Sequence, residues 1–363
     1  MYIDLVAAFD RFGEAGTAAL GALVIGAIFG YSAQRSRFCL RAAVIEFSRG
    51  DIGERVSVWL LAFGAAVAGT QLLIASGVID LSNARQLSAT GSLSGALIGG
   101  VLFGSGMILT RGCASRLLVL SANGNLRALL SGLVFAVVAQ ASMRGVLAPA
   151  REYLAQLWTV QGGPSRDVLQ ILGLAPEAGL IFSLLCLAAA CYFALRNRLS
   201  WIFWLGSLGV GAMVAAGWWF TALLASQAFD PVTLTSLTFT GPSADTLMLF
   251  LSPIGSMLGF DVGLVPGVFL GSFLAALLAR ELKLEGFRDA TSMRRYIIGA
   301  AMMGFGGMLA GGCAVGAGVT GGAIFALTAW MTLTAIWASA GITYYLVDHS
   351  ADTPHNELAP VAP

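Results

Sequence analysis

The stretch Gly104-Ser-Gly-Met-Ile-Leu-Thr-Arg-Gly-Cys-Ala114 returns two hundred positions later as Gly304-Phe-Gly-Gly-Met-Leu-Ala-Gly-Gly-Cys-Ala314. Both copies share three glycines, a leucine and a final Cys-Ala, and each is preceded by the same Ile-Gly pair, at 98–99 and 298–299. Each copy also ends an apolar run with a thiol. So many matches at one spacing indicate a motif duplicated within the chain.

The composition places the duplicated motif in a membrane protein. Of the 363 residues, 57% are hydrophobic and only 11% are charged, and the mean hydropathy is +0.82. A water-soluble fold has no room to bury that much apolar side chain. The first residues lack a basic region and a small-residue cleavage site, so no cleaved signal peptide is predicted. We therefore expect an all-α integral membrane protein.

Apolar stretches of about twenty residues each predict a membrane crossing. Nine are predicted, at 17–33, 55–78, 91–110, 126–148, 177–197, 200–225, 261–281, 293–310 and 321–347. Four shorter segments, 34–48, 111–122, 242–259 and 311–320, are candidate re-entrant pieces, because irregular backbone at membrane depth must be surrounded by protein or a polar cavity. The predicted organisation is a first half at 1–148, an interfacial linker plus connecting helix at 149–199 with the linker itself at 149–172, a second half at 200–347, and a flexible cytoplasmic tail at 348–363.

The two motif copies follow the third and the eighth predicted crossing. Because these crossings are five helices apart, the copies run through the membrane in opposite directions. The sequence thus predicts two inverted repeats of four helices each, as in transporters whose substrate lies between the halves near the midplane. This prediction depends on the helix count, since an error of one helix would make the repeats parallel.

The basic residues predict the orientation. Fifteen of the twenty Lys and Arg residues fall in odd-numbered connections and five on the opposite side. Cytoplasmic loops are enriched in these residues, so we expect a periplasmic N-terminus and a cytoplasmic C-terminus in a bacterial inner membrane. The Cys39 and Cys113 loops would then enter from the cytoplasmic face. The Cys313 loop, which has no basic residue, would enter from outside.

The two motif cysteines, Cys113 and Cys313, allow two interpretations. A free cysteine is often a small apolar residue that packs well beside glycine. Here, however, each thiol follows Arg-Gly or Gly-Gly at a helix end. A broken helix exposes N–H groups around Gly112 and Gly312, and the start of the next short helix attracts anions. Thiols beside such donors suit a small anion that contains sulfur.

The third candidate thiol is Cys39, which lies in Arg35-Ser-Arg-Phe-Cys-Leu-Arg41. The nearby arginines, including Arg37, would favour a thiolate or hold an arriving anion. Alternatively, these arginines only mark a cytoplasmic helix end, and the same ambiguity applies to Arg111 and Arg116 around Cys113. Two further cysteines, Cys186 and Cys191, lie on an apolar helix outside the repeat and are assigned to packing.

These features resemble those of the YeeE/YedE family of bacterial inner-membrane proteins, whose characterised activity is thiosulfate uptake. The resemblance rests on Arg35–Cys39, the two glycine-cysteine segments and the nine-span layout, and it covers about 17–347. It implies an hourglass-like fold with three central cysteines, which pass the anion from Cys313 to Cys113 to Cys39. It also implies a small cytoplasmic sulfur-carrier protein of the persulfide-relay type as a partner.

The leading hypothesis is a transporter of thiosulfate or a related sulfur anion, with no enzymatic activity, no cofactor, no metal and no nucleic-acid partner. The predicted substrate-binding residues are Cys39, Cys113, Cys313, Gly112, Gly312, Arg37 and Arg111. One alternative is a membrane sulfurtransferase or redox protein that carries persulfide on Cys39. Others are a transporter of another sulfur or selenium species, and a structural subunit whose glycines serve packing alone.

Overall fold

The fold is helical, and the computed structural model describes residues 5–251, 259–286 and 290–349. The predicted tail at 348–363 lies outside the described residues from 350 onward. In chain order the elements are α1 (Val6–Arg35), α2 (Leu40–Ser48), α3 (Glu54–Ala75), α4 (Arg85–Ser88), β1 (Gly91–Ser92), α5 (Leu93–Leu109), α6 (Ala114–Ala122), α7 (Leu126–Arg144), α8 (Ala148–Gln156), β2 (Thr159–Val160), a 3-10 turn (Pro164–Arg166), α9 (Val168–Ile171), α10 (Pro176–Arg196), α11 (Trp201–Gln227), α12 (Thr240–Leu251), α13 (Phe260–Leu278), α14 (Ala290–Leu309), a π-helix (Ala314–Thr320), α15 (Gly321–Ala323), α16 (Leu327–Thr343) and a second π-helix (Tyr344–His349).

Eight helical stretches among the described residues are long and apolar enough to cross a membrane. They are Val6–Ser48, Glu54–Ala75, Leu93–Ala122, Leu126–Arg144, Glu177–Arg196, Trp201–Gln227, Phe260–Leu278 and Met293–Ala323. These stretches confirm the prediction of an all-helical, multi-pass membrane protein. The ninth predicted crossing, 321–347, contains α16, which is 17 residues long and continues into the second π-helix.

The outer surface of the long helices is apolar, as expected for contact with lipid. Leu72 of α3 is 59% exposed, Leu185 of α10 is 64% exposed and Ile298 of α14 is 56% exposed. A helix with apolar residues on all sides is stable only in a protein core or in a bilayer. The first helix, α1, extends beyond the predicted crossing at 17–33 and is interrupted at Gly13, where φ is +71°.

The two helices that carry the duplicated motif, α5 and α14, pack closely against each other. Gly99 lies against Gly306, and Gly106 lies against Gly299, so that a Cβ atom on Gly99 or Gly106 would lie 2.5 Å from the facing carbonyl oxygen. Higher residue numbers on one helix therefore meet lower numbers on the other. The helices are antiparallel, and only glycine allows this distance between their backbones.

Around this pair, helices from each half of the chain pack against helices of the other half. The end of the chain returns to the first motif, because Gly100 of α5 contacts Thr332 and Ala335 of α16. The second motif helix in turn packs on the first half, where Gly304 of α14 contacts Phe135 of α7. Helix α1 packs along α13 and α11, and α3 packs on α11 and α10. As a result, residues from both halves of the chain form one continuous buried core.

The predicted linker at 149–172 folds into short elements on one end of the bundle. Strand β2 pairs antiparallel with β1, directly before α5 begins. The Arg166 side chain is only 5% exposed, and its guanidinium donates to Ala89 O at 2.6 Å and to Thr328 Oγ1 at 2.8 Å. Burial and the neighbouring Arg85 lower the pKa of Arg166 from its ordinary value. The hydrogen bonds of this arginine therefore connect the linker to the segment before α5 and to α16.

Candidate functional site

The three predicted cysteines occupy the same kind of position in the backbone. Each is the residue before a short helix: Cys39 precedes α2, Cys113 precedes α6, and Cys313 precedes the Ala314–Thr320 π-helix. All three candidate re-entrant segments that contain these cysteines thus consist of a turn and a short helix. The fourth candidate, 242–259, begins inside α12, and its residues 252–258 lie outside the described part of the chain.

The turn before each cysteine closes a long helix in the same way. The second residue before the thiol has a left-handed backbone, with φ of +52° at Arg37, +58° at Arg111 and +80° at Gly311. The next N–H group then donates back into the helix, as from Gly112 to Met107 O at 3.2 Å and from Gly312 to Gly307 O at 2.8 Å. This is the Schellman helix end, which terminates the long helix directly before the cysteine.

The shared turn extends to all three thiols a motif that the sequence pattern indicated for only two. The sequence predicted Cys113 and Cys313 as equivalents, and the structure adds Cys39 to the same geometry, where Phe38 N–H donates to Ala33 O at 3.1 Å. The equivalence of Cys39 and Cys113 could have been predicted, because Arg-x-Cys occurs both at 37–39 and at 111–113. This equivalence was not predicted because the long glycine pattern around the other two cysteines is absent near Cys39.

Two of the three thiols are in contact. The side chains of Cys39 and Cys113 are adjacent and interact electrostatically, and Cys113 Sγ lies 3.4 Å from Ser115 Oγ. Cys113 is 2% exposed, whereas Cys39 is half-buried. The arrangement provides two adjacent sulfur atoms on residues of which Cys39 is the less buried.

An arginine side chain, that of Arg116, lies beside these two thiols. Its guanidinium interacts electrostatically with both Cys39 and Cys113. The Arg116 Nη1 atom is buried, and no residue in the described ranges accepts a hydrogen bond from it. A buried guanidinium nitrogen without a partner is costly unless an anion or water approaches it.

The two arginines predicted as site residues lie farther out. The Arg37 side chain is 48% exposed, and its Nη2 atom is 4.0 Å from the Glu281 carboxylate. Arg111 is exposed at the turn before Cys113. Sequence reasoning treated Arg116 only as ambiguous, because spacing along a helix does not tell which arginine of a cluster faces inward.

The third thiol, Cys313, has a different set of neighbours. It is 1% exposed and accepts from Gly316 N–H at 3.4 Å. The Phe239 and Val315 N–H groups and the Thr238 hydroxyl also lie next to this sulfur. The preceding Gly312 is buried, and a Cβ atom there would lie 2.7 Å from Ala317 N. Glycine is thus required for the short helix to fold back against the turn.

A cavity of about 950 Å³ opens on the Cys313 side of the bundle and reaches Gly311 and Gly312. Its wall carries both signs of charge, from Arg85, Arg144, Arg151, Arg166, Glu14, Asp230, Asp245 and Asp261. These residues were not predicted as site residues, because they come from eight separate elements or connections. The cavity gives a polar solute access to the backbone around Cys313.

Residues 228–239 form an extended segment that the sequence analysis did not identify. Ser236 and Leu237 within it are fully buried, and side chains bind its backbone, with Thr221 Oγ1 donating to Thr235 O and Thr320 Oγ1 donating to Leu237 O, both at 2.6 Å. Irregular backbone at this depth requires such partners. The alternation of hydroxyl and apolar residues from Thr233 to Thr240 was the available signal.

The remaining cysteines, Cys186 and Cys191, lie half-buried on α10, away from these turns. Cys191 packs against a small buried cluster that includes Leu61 and Ala190. Their positions provide matched controls for the three central thiols.

The helices and the site together define a multi-pass membrane protein with buried thiols between a polar cavity and a cationic surface. Comparison with protein families shows that the model described as "Sulphur transport" (Sulf_transp) matches residues 35–342. The chain therefore belongs to this sulphur transport family, and the predicted relation to YeeE/YedE proteins is confirmed.

Two curated relatives extend along most of the chain. It is 24% identical over 357 residues to the thiosulfate transporter TsuA of Escherichia coli (strain K12), covering 90% of this chain and 94% of the relative. It is 27% identical over 323 residues to the thiosulfate transporter TsuA of Spirochaeta thermophila, covering 85% of this chain and 93% of the relative.

Proposed function

We propose that this protein takes up thiosulfate, or a closely related small sulfur anion, along a path lined by Cys313, Cys113 and Cys39. The observation that carries the proposal is the repeated turn, after which each of the three thiols stands directly before a short helix at the end of a long one. The names of the curated relatives support thiosulfate as the substrate. We expect transport without enzymatic turnover of the anion.

The path we propose lies between two inverted halves, 1–148 and 200–347, which are joined by 149–199. The glycine pairs of α5 and α14 support this division, because Gly99–Gly306 and Gly106–Gly299 exchange places when the repeat offset is applied. A contact that is complementary to itself is the property of a two-fold axis. If this axis crosses the path at its narrowest point, the path widens in the same way toward both sides of the membrane, which is the proposed hourglass shape.

The direction of transport follows from the proposed orientation. The cavity would open to the periplasm, and the arginine-rich surface around Cys39 would face the cytoplasm, where basic residues are enriched. An anion would then meet Cys313 first and the Cys113–Cys39 pair next. The buried Nη1 atom of Arg116 would attract it beyond Cys313.

Weak, successive contacts suit such a path. A thiol donates only a weak hydrogen bond, so each sulfur can hold the anion and release it to the next one. Conduction requires binding that is favourable enough for entry and loose enough for exit. A cytoplasmic sulfur-carrier protein would receive the anion at the Cys39 surface.

Uptake of labelled thiosulfate tests this proposal in a host that lacks its own sulfate and thiosulfate importers. We expect Cys113→Ser, Cys313→Ser and Cys39→Ser to reduce the uptake rate by roughly tenfold or more, because each loses a contact to the anion. The control variants Cys186→Ser and Cys191→Ser should retain it. Wild-type uptake by any central variant at equal membrane abundance would exclude its thiol from the path.

A second function, sulfur transfer, is favoured by the position of Cys39, which is only half-buried and lies beside Cys113. The Cys39 thiolate would attack the outer sulfur of thiosulfate, form a new S–S bond and release sulfite. Intact mass measurement after exposure to thiosulfate distinguishes the two functions. A Cys39 adduct of one sulfur atom, accompanied by free sulfite, would identify transfer, whereas an unmodified chain with active uptake supports the conduit.

A further inference from the structure

The hydroxyl of Thr240 is buried without a partner at the inner end of the cavity. The residue is 1% exposed, and its Oγ1 atom has no hydrogen bond within the described residues. Thr240 lines the same cavity as Gly311 and Gly312 and packs against Gly307, where a Cβ atom would lie 2.9 Å from Thr240 Oγ1. The hydroxyl is therefore close to the turn that carries Cys313.

Some buried threonines in the long helices bond their hydroxyls to the preceding turn, whereas Thr70 and Thr332 have no partner among the described residues but do not line the cavity. Thr110 Oγ1 lies 2.9 Å from Gly106 O, and Thr221 Oγ1 lies 3.1 Å from Gly217 O. Thr240 differs because it is the first residue of α12 and follows an extended segment. An unpaired buried hydroxyl destabilises a fold, so its retention at a cavity wall indicates an acceptor supplied from the cavity.

Backbone donors surround this hydroxyl. Thr240 begins a helix of 12 residues, and within the described chain neither its own N–H group nor that of Gly241 has an acceptor. The preceding N–H group, on Phe239, lies next to Cys313 Sγ. Successive N–H groups at the start of a helix carry a partial positive charge and bind anions.

We propose that Thr240 Oγ1 and the N–H groups of Thr240 and Gly241 bind the oxygens of a sulfur oxyanion while its outer sulfur contacts Cys313. This inference rests on the proposed function and deepens it, because it assigns separate sites to the two ends of the anion. Neighbouring donors of different kinds match an ion with one sulfur end and one oxygen-bearing end. Sulfide lacks the oxygens and sulfate lacks the outer sulfur, so each makes only half of the contacts.

The test compares Thr240→Val with Thr240→Ser. Valine keeps the shape of threonine but removes the hydroxyl, whereas serine keeps the hydroxyl. We expect Thr240→Val to raise KM for thiosulfate uptake roughly tenfold or more, since a hydrogen bond to an anion is lost, and Thr240→Ser to stay within about threefold of wild type. The control is Thr233→Val, which removes an exposed hydroxyl from the same segment and should leave KM unchanged.

A second substitution and a binding measurement keep the test decisive. Gly307→Ala places a methyl group against Thr240 Oγ1 and should also raise KM. Binding of thiosulfate to purified wild type and Thr240→Val is measured by calorimetry, and melting temperatures in detergent verify folding. Equal affinity of the two folded proteins for thiosulfate would overturn the Thr240 site while leaving the proposed transport intact. A wild type that neither binds nor transports thiosulfate would overturn both.

Discussion

Replacing Gly106 by alanine tests whether the close contact of α5 and α14 supports the thiol site. A Cβ atom at this position would lie 2.5 Å from Gly299 O and 3.0 Å from Met303 N, whereas ordinary van der Waals contact begins at 3.4 Å. Both neighbours are backbone atoms, so a change of rotamer cannot relieve the overlap. The helices must therefore move apart where the two motif copies meet.

The expected cost follows from two opposing contributions. Extra methyl groups in a close-packed interface typically destabilise by about 1–3 kcal/mol. Alanine in place of glycine within a helix contributes up to about 1 kcal/mol in the stabilising direction. We expect a net destabilisation of roughly 1–2 kcal/mol for Gly106→Ala, on the basis of these two ranges.

Uptake should fall together with stability. The Gly106 carbonyl lies 2.9 Å from Thr110 Oγ1, which also lies 2.9 Å from Gly112 O in the turn before Cys113. A shift of α5 relative to α14 therefore moves that turn. Because the thiol has to meet a small anion within hydrogen-bond distance, a displacement of several tenths of an ångström weakens the contact.

The matched control is Gly132→Ala on α7, since no heavy atom lies within 4 Å of a Cβ atom there. In Gly132→Ala only the higher helix propensity of alanine changes the stability, so the melting temperature of this variant in detergent should equal or exceed that of wild type. Melting curves and thiosulfate uptake are measured for both variants at equal membrane abundance. If Gly106→Ala behaved like Gly132→Ala in both assays, the close glycine contact would not be required for the site.

Two further predictions concern arginines. Arg166→Met should destabilise the fold by about 2–3 kcal/mol, because the carbonyl of Ala89 and the hydroxyl of Thr328 lose a charged donor. In melting experiments Arg166→Lys should restore little of this stability, because an ammonium group cannot reproduce the planar fork of the guanidinium. Full rescue by lysine would contradict this reasoning. Arg111→Gly should melt at or above the wild-type temperature, since glycine adopts the left-handed backbone without the cost of about 1–2 kcal/mol that other residues incur. The KM of this variant for thiosulfate should rise at low ionic strength and approach the wild-type value at high salt. A rise in KM that is independent of salt would indicate direct contact of Arg111 with the anion instead.

Much of the fold could be predicted from the sequence because the relevant forces act locally. Runs of apolar residues insert into a bilayer whatever their neighbours are, so composition alone predicted the long helices. The glycine-cysteine segments likewise predicted helix ends at Cys113 and Cys313, since helix termination depends on a few successive residues. The sequence also identified the family through these same local motifs.

The neighbours of each thiol were decided by the tertiary structure. The contact of Cys39 with Cys113 joins residues from different turns, and Thr238 reaches Cys313 only because the 228–239 segment enters the bundle. Among the arginines, packing leaves Arg111 exposed and brings Arg116 to the thiols.

The sequence by itself therefore determined that the chain lies in a membrane and that its thiols follow helix breaks. Only the tertiary structure decided which polar groups meet at those breaks, as the unpartnered hydroxyl of Thr240 demonstrates. The physical reason is that helix formation and membrane insertion depend on the local chain. The surroundings of a side chain depend instead on close packing between helices that are distant in sequence.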